Sequence, residues 1–333
     1  MDEIITLDYG SGGGKTSDLI GSMILPLLGN PVLNELTDGA VLPGSSRLVF
    51  STDSFVVSPR FFPGGDIGKL AVCGTVNDVS VSGGEAVFLS LSMIIEEGFP
   101  AADLRRILES VSRTAEEAGV RVVTGDTKVV ERGKCDGIYL NTSGIGYLRC
   151  PDLAPARIRP GDKVLISGTA GDHGTAVMLA RNPDLAEGDL RSDCAPLHRL
   201  CAGLWSLGGD LRVMRDPTRG GVATTLCEFV EHSPVSITLE ETAIPVSPAV
   251  ESACDLLGLD PLYCACEGRL LAVVSPEAAE EALRILKSFP EGAGAAVIGE
   301  VTEQHPGRVL MRTGVGGSRV LTKLSGAQLP RIC

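Results

Sequence analysis

The sequence predicts an α/β protein of two domains, and three observations support this fold class. The chain of 333 residues exceeds the length at which a single hydrophobic core usually stops growing. Segments with strand spacing alternate with segments that have helix spacing. A stretch at 151–160 that contains three prolines separates two groups of these segments, as a linker does. We therefore expect one domain at 1–150, a second at 151–312 and a tail at 313–333.

Helices and strands can be placed along the first domain. A helix is expected to begin at Pro100 and to end at Gly119, because Leu104, Ile107 and Leu108 recur on one face. Apolar spacing also predicts a helix over 68–82. Four further runs predict strands, at 47–51, 86–95, 120–124 and 138–148.

The second domain has a similar alternation. A short strand at 163–167 is followed by a glycine-rich turn at 168–174 and by the start of a helix at 175–180. Further helices are predicted at 220–231, 247–257 and 276–288, and further strands at 269–274, 297–301 and 308–312. From Thr313 onward the chain contains four glycines, which is typical of a mobile tail.

The charge and composition exclude several classes of protein. With 29 basic and 42 acidic residues, the net charge is −13. Such a surface repels phosphate backbones and anionic lipids, so we expect no nonspecific binding to nucleic acid or to a membrane. A hydrophobic content of 44% excludes a disordered acidic chain. No apolar run reaches the roughly 18 residues of a membrane span.

The ten cysteines are scattered through a chain that is too large for a disulfide scaffold. Together with an acidic N-terminus that lacks a signal-peptide pattern, this predicts a cytoplasmic protein with free thiols. Nine cysteines are expected to pack as small hydrophobes. The tenth, Cys333, ends the glycine-rich tail, and a thiol placed there can reach a distant site. The alternative is an incidental terminal cysteine.

A glycine-rich segment near the N-terminus favours contact with an anion. It resembles a P-loop, but Tyr9 stands where that motif requires glycine, and Lys15 stands where a dinucleotide fingerprint requires one. The backbone N–H groups of Gly12 and Gly13, with the charge of Lys15, could still contact phosphate. A flexible arm is the alternative.

Four aspartates in short polar breaks beside apolar segments predict a magnesium–nucleotide site, namely Asp53, Asp78, Asp126 and Asp216. Mg²⁺ prefers carboxylate and phosphate oxygens, and loop carboxylates at strand ends could bridge it to a nucleoside triphosphate. Any single aspartate could equally cap a helix or a turn. The segment at 216–221 could also begin a helix whose N-terminus attracts an anion.

Three further features are open to more than one interpretation. The segment at 171–174 could be an anion loop, but an ordinary turn with an exposed His173 is favoured. Cys264 and Cys266 lie too close in sequence for a usual zinc pair. Glu267 could act as an acid or base if it is buried near a cation, although on its own it fits a surface turn.

Five motifs together resemble those of the HypE family of hydrogenase maturation proteins, within the superfamily of aminoimidazole ribonucleotide synthetase and selenophosphate synthetase. The resemblance extends over essentially the whole chain. The motifs are GTVND at 74–78, VTGDTKVV at 123–130, GDHG at 171–174, DPTRGG at 216–221 and PRIC at 330–333. One departure is Cys266, where the family commonly has Asn before the glutamate.

The resemblance implies a two-domain fold whose N-terminal domain dimerises through a β-barrel-like core. It implies ATP and Mg²⁺ as cofactors, with the metal held by Asp53, Asp78 and Asp216. The residues implied to contact the nucleotide are Gly12, Gly13, Lys15, Thr52, Asp53, Asn77, Asp78, Gly125 and Asp126.

The resemblance also implies a reaction. Cys333 would receive a carbamoyl group from the carbamoyltransferase HypF. ATP-dependent dehydration would convert it to a thiocyanate, with Glu267 and Lys128 as a proton relay. The cyano group would pass to iron on the HypC–HypD complex and end in a [NiFe]-hydrogenase.

Two other functions are compatible with the motifs. A synthetase that phosphorylates a small free substrate would explain the aspartates but would leave Cys333 without a role. A non-catalytic thiol carrier would explain the tail but would leave the aspartates unexplained.

Overall fold

The structure, a computed structural model, describes residues 3–10, 14–37, 39–182, 189–324, 326, 329 and 331–333. Gly12 and Gly13, the glycines expected to contact phosphate, lie outside these residues. Within them, no helix has the length and apolar character that crossing a membrane requires. The prediction of a two-domain α/β protein is confirmed, because each domain has one main sheet and its own helices.

The first domain is built on a mixed sheet of four strands, β2 (Leu48–Phe55), β5 (Gly84–Glu96), β7 (Arg121–Val130) and β8 (Ile138–Leu148). The strand order is β2-β8-β5-β7, and only β5 and β7 run parallel. Two short ladders accompany this sheet. They pair β1 (Ile4–Ile5) with β6 (Phe99–Pro100), and β3 (Phe61–Phe62) with β4 (Gly65–Asp66).

Helix α3 (Ile67–Val81) lies on one face of this sheet, and α4 (Ala101–Ala118) packs against it. The first turn of α3 is capped by Asp66, whose side chain accepts hydrogen bonds from the N–H groups of Gly68 and Lys69. Before the sheet come the short helices α1 (Gly14–Leu19) and α2 (Leu25–Leu28).

The opposite face of the sheet exposes apolar side chains. Because successive strand residues point to opposite faces, Ser51 and Asp53 face α3 whereas Phe50 faces outward. Phe50 is 67% exposed, and Leu48 and Ile94 are exposed as well.

The second domain contains a seven-stranded sheet. In spatial order its strands are β10 (Leu211–Arg215), β12 (Leu271–Val274), β9 (Lys163–Ile166), β13 (Ala296–Thr302), β11 (Ser236–Glu240), β14 (Val309–Arg312) and β15 (Ser318–Leu321). Only β11 and β14 pair in parallel. The helices of this domain are α5 (Asp172–Arg181), α6 (His198–Leu204), α7 (Gly221–Val230), α8 (Pro248–Leu257) and α9 (Ala279–Lys287).

Helices pack on both faces of this sheet. Val164 and Ile166 point into one core with Leu226 of α7, whereas Leu165 points into another with Leu200 of α6 and Leu286 of α9. The alternation along β9 therefore separates two cores, as in other sheets that are covered on both sides.

Several elements differ from the sequence prediction. The strands at 211–215, 236–240 and 318–321 were not predicted. Since β15 pairs with β14, the sheet continues beyond the tail boundary expected at 312. The helix predicted at 276–288 begins only at Ala279, because a 3₁₀ turn precedes it.

A buried ion pair in the second domain provides a stability test. Arg212 Nε lies 3.1 Å from Asp162 Oδ2, and the Asp162 side chain is 1% exposed. Arg212→Met would leave this carboxylate buried and unpaired, so we expect a loss of about 3–5 kcal/mol in the free energy of unfolding. Urea denaturation measures it. The matched control Arg284→Met removes an exposed pair with Glu281 and should cost less than about 1 kcal/mol. Equal effects of the two substitutions would contradict the interpretation.

Candidate active site

Four carboxyl groups from both domains meet at the domain boundary. Asp53 lies in β2 and Asp78 near the end of α3, whereas Asp216 follows β10 and Glu267 precedes β12. Asp53 raises the pKa values of the other three, and Asp216 raises that of Glu267. The four groups are therefore close enough to interact electrostatically, although they are far apart in sequence.

Asp216 is the aspartate most affected by this crowding. Burial and then the charges of Asp78 and Asp53 raise its pKa to about 7, while Arg215 opposes the shift. The pKa of Asp78 is also raised, mainly by burial, although Ser51 Oγ donates a hydrogen bond of 2.7 Å to it. Crowded carboxylates of this kind are suited to a hard cation with oxygen ligands.

Asp53, Asp78 and Asp216 have the oxygen ligands that a divalent cation prefers, but their side chains are not close enough together to hold one as they stand. Among the described residues, no group of three histidine, cysteine, aspartate or glutamate side chains is close enough to hold a metal ion as it stands. A cation that is shared with the phosphates of a ligand needs only one or two protein carboxylates. The aspartates are therefore suited to a metal that arrives with a ligand.

Glu267 is buried, with 2% of its surface exposed, and no hydrogen-bond partner contacts its Oε1. Burial raises its pKa well above the ordinary value, and Cys194, Asp216 and Asp193 add to the shift. These surroundings therefore favour the protonated form of the side chain. A buried and unsatisfied carboxyl oxygen is unusual, and its position in this cleft makes Glu267 a candidate for acid–base chemistry.

The backbone around Glu267 is held from two sides. Asp193 accepts hydrogen bonds from the N–H groups of Glu267 at 3.2 Å and Gly268 at 3.3 Å. A Cβ at Gly268 would lie 1.8 Å from the carbonyl oxygen of Asp193, so only glycine fits there. From the first domain, Asn77 Nδ2 donates to the carbonyl of Glu267 at 3.3 Å.

Asn77 joins the two domains. Besides its bond to Glu267, its Nδ2 donates to the carbonyl of Ala195 at 3.1 Å, and its Oδ1 accepts from the N–H of Leu197 at 2.7 Å. It was expected to contact the nucleotide. In the structure its carboxamide is instead engaged with the backbone of the second domain, so that it positions Glu267.

The end of the chain docks into the same cleft. The carbonyl of Cys333 accepts a hydrogen bond from the N–H of Val56 at 3.1 Å, and Ile332 is buried. Burial raises the pKa of the Cys333 thiol to about 12, and the charge of Glu267 adds to the shift while Arg219 lowers it. The terminal thiol therefore lies near the carboxyl cluster. The mobility of the tail stays a prediction.

A cavity of about 370 Å³, separate from the carboxyl cluster, lies between β7 and the N-terminal helices. Its polar side is formed by Thr16, Gly125, Asp126 and Lys128, and Asp126 Oδ1 lies 2.9 Å from Lys128 Nζ. Its apolar side is formed by Ile20, Ile24, Leu25, Leu28, Leu33, Leu36 and Val122. An apolar cleft with a few polar groups suits a flat heterocyclic ligand.

Three further predicted site residues can be placed. Lys128 lines this cavity beside Asp126, and its relay with Glu267 stays a prediction. Thr52 lies on the exposed face of β2, opposite to Asp53. Lys15 lies in α1, with its Nζ 5.2 Å from the centre of the Tyr9 ring.

Other predictions about the site were wrong in their local structure. Asp53 and Asp126 lie within strands rather than in loops, whereas Asp78 lies in the helix that was predicted over 68–82 and Asp216 follows a strand end. His173 is fully buried rather than exposed, because the tail covers it. Sequence reasoning also missed Asp193, which has no motif to mark it and gains its role only through contact with Glu267.

Fold and site together define an AIR synthase related protein. The N-terminal domain of that family matches residues 36–148, and its C-terminal domain matches residues 159–312. The carbamoyl dehydratase HypE of Rhodobacter capsulatus is 46% identical over 100% of this chain and 99% of its own. HypE of Escherichia coli K12 is 44% identical over 99% of both chains.

A crystal structure of the hydrogenase maturation protein HypE in complex with ATP superposes with a TM-score of 0.95, at 47% identity over 98% of this chain and 99% of that one. A HypE–HypF complex superposes with a TM-score of 0.81, at 46% identity over 92% of this chain and 99% of that one. The chain belongs to the HypE family and is an enzyme.

The carboxyl cluster predicts a dependence of stability on pH. When folding raises the pKa of a carboxyl group, the folded state binds the proton more tightly than the unfolded state does. The resulting contribution to stability is fully present below the unfolded-state pKa and is lost as the pH rises through the folded-state pKa. For Asp216 that window runs from about 4 to about 7. Asp216→Asn should therefore gain stability over the wild type across this window, by up to about 4 kcal/mol.

Thermal unfolding at the two ends of the window measures this gain. The control Asp255→Asn changes an exposed aspartate at the end of α8 and should show no such trend. A stability difference that does not change with pH would show that Asp216 is not ionising against its neighbours.

Proposed function

We propose that this chain is an ATP-dependent carbamoyl dehydratase that acts on a carbamoyl group carried by its own Cys333. The position of the Cys333 thiol in a buried cleft, beside Glu267 and Arg219, is the observation that carries the proposal. The similar HypE structures support the assignment.

The reaction requires a better leaving group than the amide oxygen itself. Transfer of the γ-phosphoryl group of ATP to that oxygen turns it into phosphate, which can leave as the C≡N bond forms. The two protons on the nitrogen depart, the sulfur–carbon bond stays intact, and Cys333 becomes a thiocyanate. The sum is loss of one water from the protein, with ADP and phosphate as the other products.

ATP is proposed to bind with its base in the cavity beside β7. The ATP complex of the similar HypE supports the choice of nucleotide, and the apolar wall with Asp126 supports the place. In the sheet, Asp126 is in register with Ser92, Ser92 with Asn141, and Asn141 with Ser54. Three strand spacings, about 14 Å, therefore separate Asp126 from the strand that carries Asp53.

Mg²⁺ would be held by Asp53, Asp78 and Asp216, where it supplies the positive charge that bridges phosphates. The residues of this chain supply the rest. Arg219 places a cation near the reacting group, where negative charge develops on the transferred phosphoryl group. The buried carboxyl of Glu267, once ionised, is a strong base for the amide protons, because its surroundings disfavour the charged form. Lys128 is assigned to the nucleotide cavity.

The proposed partners follow from the same chemistry. HypF is proposed to load the carbamoyl group, and the similar HypE–HypF complex supports this choice. HypC–HypD is proposed to accept the cyano group for the [NiFe] centre. All ten cysteines are free thiols, which is consistent with the expected reducing cytoplasm.

The test is an intact-mass measurement on carbamoyl-loaded protein. With Mg-ATP we expect loss of the mass of one water, mapped to Cys333. Glu267→Gln should keep nucleotide binding, which calorimetry measures, but slow the loss by at least about 100-fold because the base is gone. The control Glu303→Gln alters an exposed glutamate and should react normally. ATP turnover that survives Cys333→Ser and responds to a small free substrate would instead favour a synthetase.

We further propose that two chains associate through the exposed face of the first sheet. Exposed Leu48 and Phe50 at alternate positions of β2, together with the exposed Ile94 of β5, support this, because two such faces would form a shared core. This is the barrel-like dimer that the family resemblance implies.

Phe50→Asp should weaken this association by placing a charge at the centre of the shared face. We expect a shift toward monomer in size-exclusion chromatography with light scattering. Val315→Asp is the matched control, since Val315 is 97% exposed in the turn before β15 and lies away from this face. An unchanged mass for Phe50→Asp would exclude this face as the interface.

A further inference from the structure

The end of the tail is held through its main chain and through an ion pair between Arg331 and Asp136. The carbonyl of Cys333 accepts a hydrogen bond from the N–H of Val56, and the carbonyl of Arg331 accepts one from the N–H of Ser58 at 3.2 Å. The tail therefore pairs antiparallel with the segment after β2. The side chain of Ile332 points into the core and is 2% exposed.

One tail carbonyl is bound by a side chain from the interior of the second domain. His173, in the first turn of α5, lies with its Nε2 3.0 Å from the carbonyl oxygen of Ile332. Its ring meets the Phe62 ring edge-on at 5.4 Å between centroids. His173 is fully buried, so its orientation is fixed on both sides.

The hydrogen-bond network assigns the tautomer of His173. Ser192 Oγ accepts a hydrogen bond from the N–H of Cys194 at 3.0 Å, so its own proton is available to His173 Nδ1, which lies 2.8 Å away. The ring proton is then on Nε2, the nitrogen that faces Ile332. Because burial lowers the pKa of His173 to about 4, the ring stays neutral and this tautomer persists at neutral pH.

The residue that orients His173 is adjacent to the residue that holds Glu267. Ser192 contacts the imidazole, and Asp193 accepts the hydrogen bonds from the N–H groups of Glu267 and Gly268. One short segment therefore fixes both the carbonyl that precedes Cys333 and the backbone of Glu267. The same segment therefore helps to set where the Cys333 thiol lies relative to the Glu267 carboxyl group.

We propose that His173, oriented by Ser192, is a positioning residue that fixes the Ile332 carbonyl and thereby holds the Cys333 thiol beside Glu267. The consequence for dehydration rests on the proposed function, whereas the docking of the tail does not. The test therefore has two readouts on the full chain. The first is the rate at which iodoacetamide alkylates Cys333 in the unloaded protein, followed by the mass of the C-terminal peptide. The second is single-turnover dehydration of carbamoyl-loaded protein with Mg-ATP.

His173→Leu removes the donor, and Cys333 should be alkylated about fivefold faster because one hydrogen bond of the docked state is lost. Dehydration should slow while the ATP concentration for half-maximal rate stays unchanged. His173→Gln keeps an N–H donor and should restore part of both effects. Ser192→Ala, a small change that preserves the fold, should act in the same direction through the lost orientation of the ring. His232→Leu, at an exposed histidine, is the matched control and should leave both readouts unchanged.

Alkylation at the wild-type rate in both His173→Leu and Ser192→Ala would overturn the inference, whatever the dehydration assay shows. Equal defects in His173→Gln and His173→Leu would also overturn it, because they would indicate a packing role in place of a hydrogen bond. If the alkylation pattern is as expected but wild-type protein loses no water, the docking role stands and the dehydratase proposal fails.

Discussion

The gathering of four carboxyl groups at one boundary, two of them buried and two partly buried, is the constraint on which the rest of this structure depends. Burial opposes the ionisation of Asp78, Asp216 and Glu267, and the charge of Asp53 adds repulsion to all three. Asp53 and Asp78 come from the first domain, whereas Asp216 and Glu267 come from the second. The cluster therefore exists only when the two domains are docked, and without a cation it opposes that docking. A magnesium-bound polyphosphate would relieve the repulsion, so binding of the nucleotide and closure of the site are expected to favour each other.

The structure offsets this repulsion with neutral hydrogen bonds across the boundary. The carboxamide of Asn77 engages three backbone groups of the opposite domain, and the N–H of Ser192 donates to the carbonyl of Pro63 at 2.8 Å. Neutral donors and acceptors hold the domains without cancelling the negative charge that a metal needs. A lysine or arginine in place of Asn77 would neutralise the aspartates and compete with the cation. Hydrogen bonds that fix the backbone in this way keep the reacting side chains in a constant geometry.

The sequence predicted the class of fold and most of the chemistry, but not the contacts that make the chemistry specific. The long strands of the first sheet were predicted because their sequences are rich in β-branched and aromatic residues. The strand at 211–215 was missed because it is short and includes Arg212, which is buried only through its pair with Asp162. Local sequence also favoured an exposed His173, because nothing near it reveals that a tail 159 residues later will cover it. Asn77 was expected at the nucleotide on resemblance alone, whereas its hydrogen bonds to the second domain join residues more than a hundred positions apart in sequence, which local patterns do not reveal.

Docking through backbone carbonyls suits a tail whose cargo changes. Residues 331–333 are held through main-chain oxygens, the buried Ile332 side chain and an ion pair between Arg331 and Asp136, and none of these contacts involves the Cys333 sulfur. A thiol, a carbamoyl group and a cyano group differ in size and polarity, yet all can be presented by the same docked backbone. Each such bond contributes only about 1 kcal/mol net, so a few of them hold the tail without preventing its release. Carrying and catalysis are thus separated within one chain, because the contacts that hold the tail do not involve the sulfur that the proposed reaction modifies. In the proposed cycle, partners that load and unload Cys333 would compete with these tail contacts and leave the carboxyl cluster intact.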